Sequence, residues 1–183
     1  RGLGEREARA AVFLGDQRRE PAGLGQRGDE RVGVGALLGY APHLDRTVWP
    51  DRLDTVLPEA DVVFVSAPHT PETEKMIGAA QFAKMKKGVL FIAVSRGKLY
   101  DNHALVEALK SGHVGAAGLD VTETEPLPKG HPLWKTGRVI ITPHIAGRSD
   151  GEGARYFELY KDNLIRFAKG EPLRHTVDKA KGY

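Results

Sequence analysis

Short apolar runs alternate with stretches of helical period from about Asp51 to the C-terminus. Asp61 to Val65 reads as a buried strand, Gly88 to Val94 as a second strand, Val114 to Leu119 as a third built of small residues and Val139 to Thr142 as a fourth. Between them, Asp51 can cap a short helix carrying Leu53, Val56 and Leu57, and Ala79 to Met85 fits a second. Asp101 or Asn102 can cap a third, which runs through Leu105, Val106 and Leu109 and stops at Ser111-Gly112. A long amphipathic helix begins near Ser149, with Phe157, Tyr160, Leu164 and Phe167 on one face and Gly170 at its end. Strands alternating with helices predict βαβ units and an α/β fold with a doubly wound parallel sheet. No internal repeat is visible.

The first forty residues break this pattern. They hold nine of the 22 Gly, and no helical or strand period can be counted in them. Such a Gly/Arg-rich composition predicts a poorly packed segment. Charge divides along the same line: residues 1–74 carry nine Arg and no Lys against thirteen acids, the remainder eighteen bases against eleven acids. Over all 183 residues the net charge is only +3, and acids interleave the early Arg, which argues against nucleic acid as a partner. Hydrophobic residues at 40% and charged residues at 28% fit a globular protein rather than a disordered one. The absence of Cys removes disulfides and thiol chemistry and fits a cytoplasmic protein. No apolar run has membrane-spanning length, so no membrane partner is expected.

In an open parallel sheet, ligands bind beyond the carboxyl ends of the strands. Four loops fall there: Ala67 to Pro71, Ser95 to Gly97, Asp120 to Pro126, and Pro143 to Gly147. Together they offer an Arg, carboxylates and a His. Arginine can grip a carboxylate with two parallel bonds, and a His beside a carboxylate can hold and return a proton near neutral pH. Taken singly, each has a plainer reading: Arg96 as a surface ion-pair partner, His144 as structural, Glu125 as a turn residue, Asp120 as a cap. Jointly, at strand ends, they favour redox chemistry on a carboxylate-bearing substrate. His69, His103, His113, His131 and His175 lack such company and read as loop or surface residues, with no metal-ligand spacing. Lys84, Lys86 and Lys87 read as a solvated helix end, and Trp49 and Trp134 as packing residues.

The runs Ala93-Val94-Ser95-Arg96-Gly97-Lys98-Leu99-Tyr100-Asp101, Gly115 to Val121, Glu125-Pro126 and Thr142 to Gly147 resemble the D-isomer-specific 2-hydroxyacid dehydrogenase family. Arg96 to Asp120 is 24 residues and Asp120 to Glu125 five, and the motifs arrive in the family's order. The resemblance implies a Rossmann-like domain that binds NAD or NADP and exchanges a hydride with a small-molecule 2-hydroxy or 2-keto acid. It implies that Arg96 binds the substrate carboxylate and carbonyl. His144 would be the acid/base, and Glu125 would orient its imidazole and favour its proton. Asp120 would hold the nicotinamide carboxamide, while Gly15, Ala67, Val94, Ser95 and Gly147 would lie along the cofactor with Arg96 and His144. It also implies a homodimer.

The same resemblance marks departures. A substrate domain should precede the coenzyme domain, and the chain carries almost none of it; residues 1–148 would be the dinucleotide-binding domain and 149–183 a helix and tail returning toward that domain. The Gly-x-Gly-x-x-Gly turn that lets a backbone approach a pyrophosphate falls on Phe13-Leu14-Gly15-Asp16-Gln17-Arg18, where only Gly15 remains. The ribose-selecting position falls near Ala36 and Leu37, which cannot choose by charge. Residues 12–35 keep the family's length but not its composition, as a compensated pair of reading-frame shifts would produce. The N-terminal βα unit is therefore expected to be incomplete or degraded. That leaves a second expectation, a non-catalytic nucleotide-binding or dimerisation module.

Overall fold

A computed structural model describes residues 10–13, 32–34, 46–48 and 50–179. Its strands are β1 (Ala10–Phe13), β2 (Val32–Val34), β3 (Arg46–Val48), β4 (Val62–Val65), β5 (Val89–Ala93), β6 (Val114–Leu119) and β7 (Val139–Ile141). All six neighbouring pairs are parallel, in the order β3-β2-β1-β4-β5-β6-β7. This is the doubly wound, Rossmann-like order, reversing between β1 and β4. The four strands read from apolar runs are β4 to β7, each within a residue or two of its expected bounds. Three further strands, β1, β2 and β3, were not read from the sequence, and β1 and β2 lie where no strand period could be counted. They are three or four residues long, too short for a local period, and their neighbours define them: β1 pairs with β2 on one side and β4 on the other. The segments linking β1, β2 and β3 lie outside the described residues.

The helices are α1 (Leu53–Val56), α2 (Ala79–Lys84), α3 (Asn102–Lys110) and α4 (Glu152–Ala168). Asp101 caps α3, its Oδ1 accepting from the N–H groups of His103 and Ala104 at 2.9 Å each. Asp51 does not cap α1. It lies in a 3-10 turn over Pro50–Arg52, and the N-cap residue Arg52 makes no side-chain bond. The lysine cluster after α2 is not simply solvated, for Lys84 pairs with Asp54 and Lys86 with Asp61. The chain divides into two compact units, residues 1–144 and 145–183. The second contains α4, none of whose residues is buried.

Within the first unit the core lies over β4, β5 and β6. Val63, Val65, Phe91, Ala93, Val114 and Leu119 are almost fully buried. Phe91 is its centre, edge-on to Phe82 of α2 at 5.2 Å and to Tyr100 at 5.3 Å. Two glycines let backbones touch. A Cβ on Gly115 would come within 2.5 Å of the Gly88 carbonyl oxygen, and one on Gly97 would overlap the Thr122 carbonyl. Tyr100 ties this core to the loop after β6, because its hydroxyl donates to the Val121 carbonyl at 2.7 Å. Burial, together with the charges of Glu125 and Glu123, pushes the phenol far above its ordinary value, so the donor persists at any working pH. Tyr100→Phe keeps the ring packing but leaves that buried carbonyl unpaired, at a cost of about 1–3 kcal/mol. Urea unfolding should therefore show a lower midpoint at an unchanged slope.

Candidate active site

The loops that carry the candidate residues begin where four adjacent parallel strands end. Ser66 follows β4, Val94 follows β5, Asp120 follows β6 and Thr142 follows β7. Because parallel strands point the same way, these loops share one edge of the sheet. Backbone bonds continue past the strands and hold them: Val94 N–H donates to Val65 O (3.1 Å), Asp120 N–H to Ala93 O (2.8 Å) and Thr142 N–H to Leu119 O (2.9 Å). The missing side chain at Gly97 lets the loop after β5 press on the loop after β6, which brings Arg96 beside Glu125.

His144 has a left-handed backbone, with φ of 55°. Its N–H donates to the carbonyls of Asp120 (2.9 Å) and Thr142 (3.1 Å), which hold it there. The imidazole Nδ1 meets Glu125 Oε2 at 2.7 Å, and the other Glu125 oxygen accepts from Thr122 N–H at 3.0 Å. The Glu125-Pro126 peptide is cis. Partial burial pushes the Glu125 carboxyl up. The His144 bond, the Thr122 N–H and the imidazole charge outweigh it and leave the group below its ordinary value. Asp120 is 5% exposed, and the Thr142 hydroxyl donates to its Oδ1 at 2.5 Å.

Two cavities flank the His144–Glu125 pair. One, of about 480 Å³, is lined by both residues with Asp120, Thr142, Leu127 and Trp134. Trp134 is therefore not a packing residue. It is 52% exposed, and its indole N–H donates to the Pro128 carbonyl. The other cavity, of about 250 Å³, joins the pair to Arg96, Lys98, Glu123 and His69. Arg96 donates to the Ser95 carbonyl at 2.7 Å and pairs with no carboxylate among the described residues. Lys75 meets Glu123 at 3.3 Å, which offsets that acid. The cavity thus presents a guanidinium with unmatched charge beside a hydrogen-bonded imidazole, a combination suited to an anion that exchanges a proton.

Of the remaining expected residues, Ala67 is buried and Val94 lies at the end of β5. The Ser95 hydroxyl is buried without a partner among the described residues. Gly147 belongs to the second unit, and Gly15 lies outside the described residues, as do Leu14 to Arg18, Ala36, Leu37 and Trp49. His69 lies in a loop, as its sequence reading has it, but it does not lack company, for it lines the Arg96 cavity. Its position in a loop after a strand was the available signal, but its burial depends on the fold of that loop. His113 and His131 are also engaged, the first with the Met85 carbonyl and the second as acceptor from Leu133 N–H.

A family model described as "D-isomer specific 2-hydroxyacid dehydrogenase, NAD binding domain" matches residues 36–146. A glyoxylate/hydroxypyruvate reductase B of Cronobacter sakazakii is 44% identical over 126 residues, covering 69% of this chain and 39% of the relative. A D-3-phosphoglycerate dehydrogenase of Archaeoglobus fulgidus is 42% identical over 125 residues, covering 68% of this chain and 24% of the relative. A crystal structure of a D-isomer specific 2-hydroxyacid dehydrogenase from Xanthobacter autotrophicus Py2, in complex with NADPH and MES, superposes with a TM-score of 0.80 at 31% identity. That likeness covers 100% of this chain and 77% of the other. The chain spans less than half the length of these two curated relatives.

The lowered Glu125 carboxyl has a consequence for folding. A group depressed in the folded state adds stability above its unfolded value of about 4.5, and that stability is lost as pH falls through the folded value. The stability difference between wild type and Glu125→Gln should accordingly shrink as pH drops from 5.5 to 3, about the span of that titration. Chemical unfolding at a series of pH values reads this directly, and a constant difference contradicts it.

Proposed function

The chain belongs to the D-isomer specific 2-hydroxyacid dehydrogenase family, and on that footing we propose that its site serves reversible hydride transfer at C2 of a 2-keto or 2-hydroxy acid. The observation that carries this reading is the 2.7 Å contact between His144 and Glu125 at the edge of the cavity that also holds Arg96. Arg96 grips the substrate carboxylate and polarises its C2 carbonyl. His144 gives a proton to the developing C2 oxygen in reduction and takes it back in oxidation. Glu125 fixes the imidazole through Nδ1 and leaves Nε2 for that proton. A bound NAD or NADP supplies the hydride.

The chain's residues fit such a cofactor on the nicotinamide side. The buried Ser95 hydroxyl has no partner among the described residues and can bond a ligand, and the Asp120 carboxylate, at the end of the adjacent strand β6, can accept from a carboxamide. Ala67, Val94 and Gly147 complete the proposed contacts by backbone. Residues 1–148 act as the coenzyme domain and 149–183 as a helix and tail directed to a substrate domain. No helix among the described residues is long and apolar enough to cross a membrane. Residence in the cytoplasm and assembly as a homodimer belong to the same reading.

One observation favours the second reading, a nucleotide-binding or dimerisation module without turnover. The family match begins at residue 36, after Phe13 to Arg18, where two of the three phosphate-turn glycines are lacking. Two measurements decide. Joined to a relative's substrate domain and with the phosphate turn repaired, the chain should reduce a 2-keto acid. His144→Ala should then lower kcat by roughly 10²–10⁴-fold, the span of a general acid/base. Arg96→Lys should also fail, since an ammonium cannot reproduce the planar two-pronged grip. Near-normal kcat in His144→Ala defeats the assignment. Calorimetric titration of the unmodified chain with NADH and NADPH should give affinity weaker than about micromolar, because a side chain in place of a fingerprint glycine obstructs the pyrophosphate. Micromolar binding would restore the phosphate site to working order.

A further inference from the structure

Two cationic residues, Arg96 and Lys98, line the smaller cavity, and the proposed chemistry uses only the first. Lys98 stands on the far side of Gly97, in a 3-10 turn over Gly97–Leu99. Its backbone is fixed: the Lys98 carbonyl accepts from Lys75 N–H at 2.8 Å, and the Leu99 carbonyl accepts from Ile77 N–H at 3.1 Å. Its side chain is left free. Lys98 is exposed, and no hydrogen bond or ion pair engages its ammonium among the described residues. The acids of the cavity are committed elsewhere, Glu123 to Lys75 at 3.3 Å and Glu125 to His144 and the Thr122 N–H. Of the other groups there, His69 lies 3.6 Å from Glu74, and Arg96 donates only to the Ser95 carbonyl. Both cations therefore lack a carboxylate of their own among the described residues.

We propose that Lys98 is a specificity-determining residue, and that the acid bound here carries a second anionic group, a carboxylate or a phosphate, at the end away from C2. This rests on reading the cavity as the carboxylate-binding site. A monocarboxylate held by Arg96 leaves the Lys98 charge unmatched, whereas a dianion matches both. The two side chains suit the two tasks. The rigid guanidinium fork fixes the carboxylate beside the reacting carbon. The ammonium is a point charge on a flexible four-carbon stem, able to follow an anion whose distance from C2 varies with the substrate. Both side chains are exposed, so the preference is that of a screened ion pair, modest and sensitive to salt.

The test is an NMR titration of the whole chain at neutral pH with D-lactate, D-malate and D-3-phosphoglycerate, following the Arg96 guanidinium and the Lys98 ammonium. D-lactate should move Arg96 alone. At least one of the other two acids should move Arg96 and Lys98 together and bind roughly two- to fivefold more tightly than D-lactate, the span of an exposed ion pair. Tighter D-malate identifies the second anion as a carboxylate, and tighter D-3-phosphoglycerate identifies it as a phosphate. Lys98→Met should bring the ratio to near one, and Lys98→Arg should keep it. Lys87→Met, which removes an exposed lysine outside the cavity, should leave it unchanged. Far-ultraviolet circular dichroism checks that the variants fold. A ratio unchanged in Lys98→Met, a ratio lost equally in Lys87→Met, or Lys98 staying still while Arg96 responds to every acid overturns the inference and leaves the reading of the cavity standing. No response at Arg96 to any of the three acids defeats that reading, and the inference with it.

Discussion

A backbone contact without a side chain, Gly97 against Thr122, governs the geometry at the edge of the sheet. It brings the loop after β5 onto the loop after β6 more closely than any Cβ permits. Arg96 precedes that contact and Glu125 follows it three residues on, so one steric requirement positions both. Tyr100 secures the arrangement from beneath. It packs on Phe91 in the core and donates to Val121 in the second loop, so core and site share a hydrogen bond.

Polar groups at this edge are held by one another, and their order of dependence can be traced. Asp120 accepts from the Thr142 hydroxyl, and its carbonyl accepts from the His144 N–H. His144 is thereby kept in a left-handed conformation that few non-glycine residues adopt. Glu125, pinned by the Thr122 N–H, then meets the imidazole. Among the described residues the groups with no such support are the Arg96 charge, the Ser95 hydroxyl and His69 Nε2. Unsatisfied groups gathered at the ends of parallel strands are what a ligand would complete.

How much of this was legible in the chain depended on the kind of signal. Strands β4 to β7 are continuous apolar runs, which announce themselves without any partner in view even where Leu90 and Ile140 end up exposed. Helix α3 was legible to within a residue because its Asp-Asn cap and the Ser111-Gly112 stop are local chemistry. The spacing of Arg96, Asp120, Glu125 and His144 marked them as a set. Strands β1 and β2 left no local trace, since three or four residues carry too little period and their pairing is made by distant chain. Trp134 read as packing because large apolar residues usually are buried, and only the fold decided otherwise.

The sequence by itself determined the layered α/β architecture, the position of each candidate residue just beyond a strand, and its chemistry. Those follow from local periodicity and side-chain type. Tertiary structure alone decided that β1 lies at the reversal of strand order, that His144 reaches Glu125 across 19 residues, and that His69 shares a cavity with both. The reason is that hydrogen bonds and burial depend on distances between residues far apart in sequence, which no local pattern encodes.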